Sequence, residues 1–489
     1  MRVSPLFFAT IVATAQTQTI PPPAPAPSFR IGTKLVEVDV VAVVTAKDKN
    51  GPAAGLTKTD FTLLDNGKPQ EIAVFSVKAS QPAGRPKSPL PLGIISNRVN
   101  RDGETLGSGT VVLLDQQNLP VNRQADAIGE IVRFVAGRRK QDRIGIYSLQ
   151  KDGLLLVQDL TDNDELLRRA AQSLKPVAPQ TCDSAGEDCP LRLALETKHA
   201  FEAIARHLAN VPGRKSAIWI TASFPLIINT PRVQYNFTED MQAAARALSD
   251  AHIALYSVTV RGLTVGGRGI YPPGFNTMDL MAELTGGEVF INTNDIKGSI
   301  ETAAEEGDLV YTLGFYPSQD EKAQDEKDGT SHKLKIEVAR KGLSLRYRES
   351  YVAGKPQVAV DPKAMQQLLE SSLDASQIEL AAQAIPDNAH PGTYRVVVSV
   401  SLHDVQFQHE GPLWAGDLDV AYMVEGTEGF RVIKKKIEFH DDKFAAGVER
   451  GTLIEASITP EPAKGILRIA VQDQVTGAAG SVKVPFGKK

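Results

Sequence analysis

The sequence predicts a doubly wound α/β domain flanked by a small N-terminal β domain and a C-terminal antiparallel β-sandwich. Three observations carry this. From Thr110 to about residue 316, short apolar strands alternate with amphipathic helical stretches, the pattern of a mainly parallel sheet with helices on both faces. Upstream, LVEVDVVAVV alternates with a period of two, as a half-buried strand does. Downstream of residue 375, strand-like runs recur between turn signals, with no long amphipathic helix.

At the N-terminus, MRVSPLFFATIVATAQTQ has one Arg, an apolar run from Pro5 to Val12 and Ala13-Thr14-Ala15 as a small-x-small cleavage site. This reads as a secretory signal peptide over residues 1–15, with a buried first strand as the competing reading. A Pro-rich linker follows over 16–28, containing PPPAPAP. Residues 29–80 are expected to form the small β domain: Val36, Val38, Val40, Ala42 and Val44 share one face, and Asp65-Asn66-Gly67 supplies tight-turn chemistry between two apolar runs. Residues 81–108, rich in Pro, Gly, Arg and Asn, read as a linker.

The doubly wound domain is expected over 109–317, with strands at 110–115, 143–149, 216–221, 252–260, 288–291 and 309–316. In its first helix Ala125, Ile128, Ile131, Val132 and Val135 recur at steps of about three and four, and Gly137 ends the pattern. Further helices fit 163–174, 191–210, 238–251, 278–284 and 295–306. GLLLVQ follows the second strand after a short turn and so predicts an antiparallel edge hairpin. Residues 318–352 read as a β extension of this domain, 353–374 as a helical linker carrying DPKAMQQLLESSLDA, and 375–489 as an immunoglobulin-like sandwich built from runs such as GTYRVVVSVSL, GDLDVAYMVE and KGILRIAVQD.

Composition narrows the function classes. The chain has 489 residues, 42% hydrophobic and 23% charged, with a formal net charge of -4, which is globular and too long for one domain. Its longest basic runs are the triplets Arg138-Arg139-Lys140 and Lys434-Lys435-Lys436. Phosphate backbones require a more concentrated basic surface, so nucleic acid is not an expected partner. Beyond the signal peptide no stretch approaches the roughly 18 apolar residues of a transmembrane helix. The expectation is an exported protein, periplasmic or extracellular.

The phrases GLTKTDFTLLDNGKPQEI, VVLLD and RIAVQDQVTGAAGSVKVPF together resemble the von Willebrand factor A-related proteins found widely in acidobacterial genomes. The resemblance covers nearly the whole mature chain and implies a Rossmann-like von Willebrand A domain, a scaffold that serves many partners. Such domains usually hold a divalent cation on a D-x-S-x-S turn, a Thr and a further Asp, a hard oxygen set suited to Mg²⁺. Carried over by residue, Asp115 takes the first position, Gln117 and Leu119 replace the two Ser, Thr197 is the nearest match to the Thr, and Ala222 and Ser223 stand where the second Asp belongs. The site therefore reads as degenerate. No metal and no other cofactor is expected, and Asp115 is expected to accept N–H bonds within its own turn. The competing reading keeps Mg²⁺ on an altered set that includes Asp115 and Gln117.

No G-x-S-x-G, H-E-x-x-H, Walker or dinucleotide phrase is present, and the scattered histidines show no ligand spacing. A non-enzymatic protein-binding or scaffold role is expected; a metal-dependent adhesion module and an envelope-polymer enzyme are the alternatives. The C-terminal ends of parallel strands are where such sheets bind ligands. Long loops there carry Phe224, Arg232, Tyr235, Arg268 and Tyr271, an aromatic and Arg composition that suits a protein interface. The only two cysteines, Cys182 and Cys189, are expected to form a disulfide after export, worth roughly 2.5 kcal/mol by loop closure. Free thiols are the alternative; a metal site would lack ligands. Thiol labelling of the unreduced, denatured protein is expected to find no reactive cysteine, whereas two per chain would remove the bridge.

Overall fold

The computed structural model describes residues 35–45, 51–79, 93–97, 109–140, 142–178, 189–222, 224–229, 234–260, 275–291, 295–317, 331–352 and 362–487. The signal-peptide and Pro-rich segments lie outside these residues. The N-terminal elements are β1 (Val36–Val44), β2 (Phe61–Asp65), β3 (Lys68–Gln70), β4 (Ile72–Ala79) and the short β5 (Ile95–Ser96). Next come β6 (Thr110–Asp115), α1 (Val121–Gly137), β7 (Ile144–Gln150), β8 (Gly153–Thr161), α2 (Asp164–Ser173), α3 (Cys189–Leu208) and β9 (Lys215–Thr221). A small hairpin, β10 (Ile227–Asn229) and β11 (Gln234–Asn236), precedes α4 (Thr238–Asp250), β12 (Ile253–Thr259), α5 (Phe275–Thr285), β13 (Val289–Phe290) and α6 (Ile296–Glu306).

β6, β7, β9, β12 and β13 run parallel in a six-stranded sheet of order β13-β12-β9-β6-β7-β8, and β8 alone is antiparallel, as the short turn after β7 predicted. β6, β9 and β12 are buried along their whole length, because helices cover both faces. One face packs Leu113 and Trp219 against Phe201 of α3, Met241 of α4 and Met278 of α5. The other packs Val112 and Ile218 against Ile131 of α1, Leu167 of α2 and Ile300 of α6.

The predicted sixth strand does not belong to this sheet. β14 (Leu309–Phe315) pairs antiparallel with both β1 and β4. With β15 (Ser331–Val338), β16 (Leu343–Arg346) and β17 (Ser350–Val352), it completes two four-stranded sheets, β16-β1-β14-β4 and β17-β15-β2-β3. The predicted separation into a 29–80 domain and a 318–352 extension is thus corrected. Both segments are halves of one sandwich, and the doubly wound unit is inserted between them. The reason is the apolar face. Val38, Val40, Phe61 and Leu63 have no sufficient core alone and are closed by Tyr311, Leu313, Leu334 and Ile336 from the far side of the insertion.

The DNGK turn shows how the halves are joined. Asn66 and Gly67 both take positive φ, as the tight hairpin requires. The buried Asp65 before them accepts a hydrogen bond from Tyr351 Oη at 2.6 Å and lies 2.9 Å from His332 Nδ1. Asn66 continues the clasp, its Oδ1 accepting from the Lys333 backbone N–H.

The C-terminal unit contains β18 (Leu380–Pro386), β19 (Tyr394–Val400), β20 (Gln408–Glu410), β21 (Leu413–Val424), β22 (Arg431–His440), β23 (Thr452–Ile458), β24 (Gly465–Asp473) and β25 (Ala479–Phe486). Its sheets, β23-β19-β18-β5 and one built on β21 with β20, β22, β24 and β25, enclose Val396, Val398, Val420, Ile469 and Val482. β5 falls in the segment read as a linker, which is corrected to a tether. Ser96 pairs with Ala381, and Asn97 Nδ2 donates to the carbonyls of Ala375 and Ile378. The expected helix forms at Pro362–Glu370 and lays Met365, Leu368 and Leu369 on Ala421 and Met423 of the adjoining sheet.

Lys215 opens the central strand β9 and is only 1% exposed, with Nζ donating to the Val211 carbonyl at 2.6 Å. Burial disfavours its ammonium form and pushes the pKa from 10.5 down to about 7. Between these values the unfolded chain binds more protons than the folded one, so stability should climb as pH rises from about 7 towards 10.5. Denaturant titrations at pH 6.5 and 9.5 are expected to differ by up to about 3 kcal/mol from this group, and Lys215→Met should flatten the difference. An unchanged pH slope in that variant would remove Lys215 as its source.

Candidate functional site

The candidate site lies at the C-terminal end of β6, where the chain leaves the sheet at Asp115. Asp115 is 0% exposed. Parallel register sets Leu113 beside Trp219, and the two-residue period then brings Asp115, Trp219 and Thr221 onto the same face. Asp115 Oδ2 accepts hydrogen bonds from Trp219 Nε1 at 3.0 Å, Thr221 Oγ1 at 2.9 Å and Asn118 Nδ2 at 2.8 Å. Its Oδ1 accepts from the Asn118 backbone N–H at 3.1 Å. Burial raises the pKa of this carboxyl, while the bonds from Asn118, Thr221 and Trp219 oppose the rise.

The other positions of the metal pattern are taken up by packing or by hydrogen bonds, except that Gln117 Oε1 is buried without a donor. Gln117 donates from Nε2 to the Leu193 carbonyl at 2.8 Å and to Thr197 Oγ1 at 3.1 Å. Thr197 gives its own hydroxyl proton to Leu193 O within α3. The fold therefore does bring Thr197 to the site, but on a helix and engaged. Leu119 is 1% exposed and belongs to the core. Ala222 is half-buried, and Ser223 lies outside the described residues. Among the described residues no group of three or more His, Cys, Asp or Glu is placed to hold a metal ion.

Beside Asp115 a buried amide network closes the crevice. Gln116 Nε2 donates to Gln124 Oε1 and to the Lys175 carbonyl, and Ser148 Oγ donates to Gln116 Oε1. Gln124 Nε2 donates to the carbonyls of Gln116, Leu119 and Val177, while its Oε1 accepts from the Val177 N–H. Sequence reading missed Gln116, Gln124, Trp219 and Thr221. The alternation of AIWIT already places Trp219 and Thr221 on one face, but nothing in it names Asp115 as their acceptor.

Of the predicted rim residues, Phe224 is corrected. It is 2% exposed and packs on Trp219 and Phe237, with ring centroids at 6.2 and 6.4 Å. An aromatic next to the sheet end is drawn into the core because α3, α4 and Trp219 leave an apolar gap there. Tyr235 is half-buried and pairs with Ile228 across the hairpin. Arg232, Arg268 and Tyr271 lie outside the described residues. Ile227, not singled out from the sequence, is 50% exposed on β10. The base of the hairpin is closed by Phe237 N–H donating to the Leu226 carbonyl at 2.7 Å. Cys189 begins α3 and is buried; Cys182 lies outside the described residues.

Asp115→Ala should strand the indole, hydroxyl and amide donors around it and cost about 2–4 kcal/mol. Asp115→Asn keeps one acceptor but turns an NH₂ towards a donor, so an intermediate loss is expected. Trp219→Phe, which removes a single donor, should cost about 1–2 kcal/mol. Denaturant midpoints at constant m value check the order; Asp115→Ala at wild-type stability would refute the hub.

No protein-family model and no curated protein matches the chain. Solved structures similar to part of it include a conserved hypothetical protein BatB from Bacteroides thetaiotaomicron, at 15% identity over 41% of this chain and 97% of that one, with a TM-score of 0.28. They also include proximal thread matrix protein 1 from the mussel byssus, at 10% identity over 41% and 47% of the two chains and a TM-score of 0.28. The VWA domain of SpRpn10 matches at 12% identity over 38% and 87%, with a TM-score of 0.21. The class of the central unit rests on its own strand order, a doubly wound, Rossmann-like α/β sheet with one antiparallel edge strand.

Proposed function

We propose that this chain is an exported, non-enzymatic binding protein whose A-like unit contacts a protein partner without a metal ion. The observation that supports this most is the commitment of Asp115. Each of its oxygens already accepts from the protein itself, Leu119 is packed in the core and Thr197 is hydrogen-bonded within its helix, and Gln117 is held through its Nε2, which leaves its buried Oε1 as a single neutral oxygen without a donor. A divalent cation holds its water tightly and gives it up only for several well-placed oxygens, which this end of the sheet does not offer.

The contact surface in this reading is the β10–β11 hairpin. Ile227 is exposed there, flanked by the exposed polar residues Asn229, Gln234 and Asn236, while Phe224 and Phe237 anchor its base in the core. An apolar contact on a preorganised support loses little entropy on binding. The disulfide between Cys182 and Cys189 is part of the proposal, since export would permit it.

Calorimetric titration with Mg²⁺, Mn²⁺ and Ca²⁺ should show no binding at millimolar affinity or tighter. Binding that Asp115→Asn abolishes would overturn the metal-free reading. Capture from the native envelope fraction should weaken at least tenfold with Ile227→Asp at unchanged stability. Full capture by that variant would move the contact elsewhere.

A further inference from the structure

His207 stands at the seam between the doubly wound unit and the C-terminal sandwich, and both of its ring nitrogens face oxygens. Nδ1 lies 2.7 Å from the Asp374 carbonyl, in the segment that leads into the sandwich, and Nε2 lies 3.1 Å from Asp159 Oδ1 on β8. A carbonyl oxygen can only accept, so the first contact needs a proton on Nδ1. An ionised carboxylate also only accepts, so the second needs one on Nε2. A neutral imidazole has a single N–H and serves one of the two contacts, whereas the imidazolium serves both.

The contacts around this ring hold the two units together. Ser376 N–H donates to the Arg206 carbonyl at 2.9 Å and Ser376 Oγ to the His207 carbonyl at 2.8 Å. Ser372 Oγ donates to the Leu154 carbonyl, and Leu373 enters the core that α3 shares with the sheet. The charged and titratable groups about His207 are Asp159 from β8, Tyr147 from β7 with its ring edge-on at 6.3 Å, Arg206 and its neighbour Glu202 from α3, and Asp374, whose carboxylate lies 3.8 Å from Lys483 Nζ of β25. Burial opposes a charge on His207, which is 9% exposed, but Asp159 and the Asp374 carbonyl outweigh burial and raise its pKa above 6.5.

The geometry points to His207 as a proton-operated latch between the doubly wound unit and the C-terminal sandwich. Protonated, it fastens residues 371–378 to α3 and β8. Deprotonated, it turns a lone pair towards either the Asp159 carboxylate or the Asp374 carbonyl, one fastening is lost, and the segment opens more readily. Because the latched state holds the proton more tightly than a free histidine, the latch is complete below pH 6.5 and is lost as pH rises through the latched pKa.

The test uses the full chain and reads the seam locally, since Lys215 moves global stability in the opposite sense. Hydrogen–deuterium exchange of peptides spanning 153–161 and 371–378, corrected for intrinsic rates, should show opening that increases about tenfold for each unit by which the latched pKa exceeds that of a free histidine. The His207 Cε1–H resonance should titrate with the same midpoint. Asp159→Asn offers Nε2 a donor in place of an acceptor, so a neutral ring keeps both contacts; the seam should stay protected at alkaline pH and the midpoint disappear. His207→Ala should leave the segment open at every pH. The latch would be overturned by a His207 that titrates at or below 6.5, by exchange that stays level through its titration, by wild-type pH dependence in Asp159→Asn, or by wild-type protection in His207→Ala. Should His207→Ala fail to fold, the wild type and Asp159→Asn decide.

Discussion

The hydrogen bond from the Trp219 indole to Asp115 is the contact on which the candidate end of the molecule depends. It joins the neighbouring strands β6 and β9 at their C-terminal ends and fixes the largest buried side chain of the sheet, against which Phe201 packs edge-on at 5.1 Å and Phe224 at 6.2 Å. Through Phe224 and Phe237 the same ring supports the β10–β11 hairpin. A carboxylate that could have faced solvent is turned inward. Its burial is tolerated because four donors surround it, and an ionised group is stable in a dry site only under that condition.

The same economy of satisfied polar groups appears where the chain crosses between units. Asp65, His332 and Tyr351 form a buried cluster that draws together residues some 270 positions apart in the chain. Ser376 accepts from Asn210 N–H and donates to the His207 carbonyl, while His207 contacts the Asp374 carbonyl and Asp159, tying α3 to the start of the C-terminal sandwich. Asn97 does the equivalent for β5. These contacts place polar side chains at the seams, whereas each unit keeps its own apolar core. Seams built this way specify geometry more than they add stability, since each buried pair must first recover its desolvation cost.

A doubly wound unit inserted into a sandwich has both ends of its insertion, β4 to β6 and α6 to β14, under the control of one flanking domain. Movement of the inserted unit would have to disturb the Arg214, Arg348, Asp39 and His252 cluster at that seam. A hairpin held on the far side is therefore supported by a frame fixed at its base, which favours contacts made with little rearrangement.

Local physics made much of this legible in the sequence. The period-two and helical patterns located the strands and helices of the central unit, including the antiparallel β8, because each element's apolar face must repeat with its own geometry. The residue types around Asp115 already spoke against the metal set, since Leu119 and Ala222 offer no side-chain oxygen. Pairing was not legible. β14 carries the same near-continuous apolar run whether it extends the parallel sheet or closes the sandwich, and only its pairing with β1 and β4 decides between them. Nor could spacing show that Phe224 is covered, that Thr197 comes to Asp115 on a helix, or that Trp219 donates to it. Thr197 reaches Gln117 across 80 residues of chain and Trp219 reaches Asp115 across 104, and tertiary packing, not local propensity, selects such contacts and the cover over Phe224.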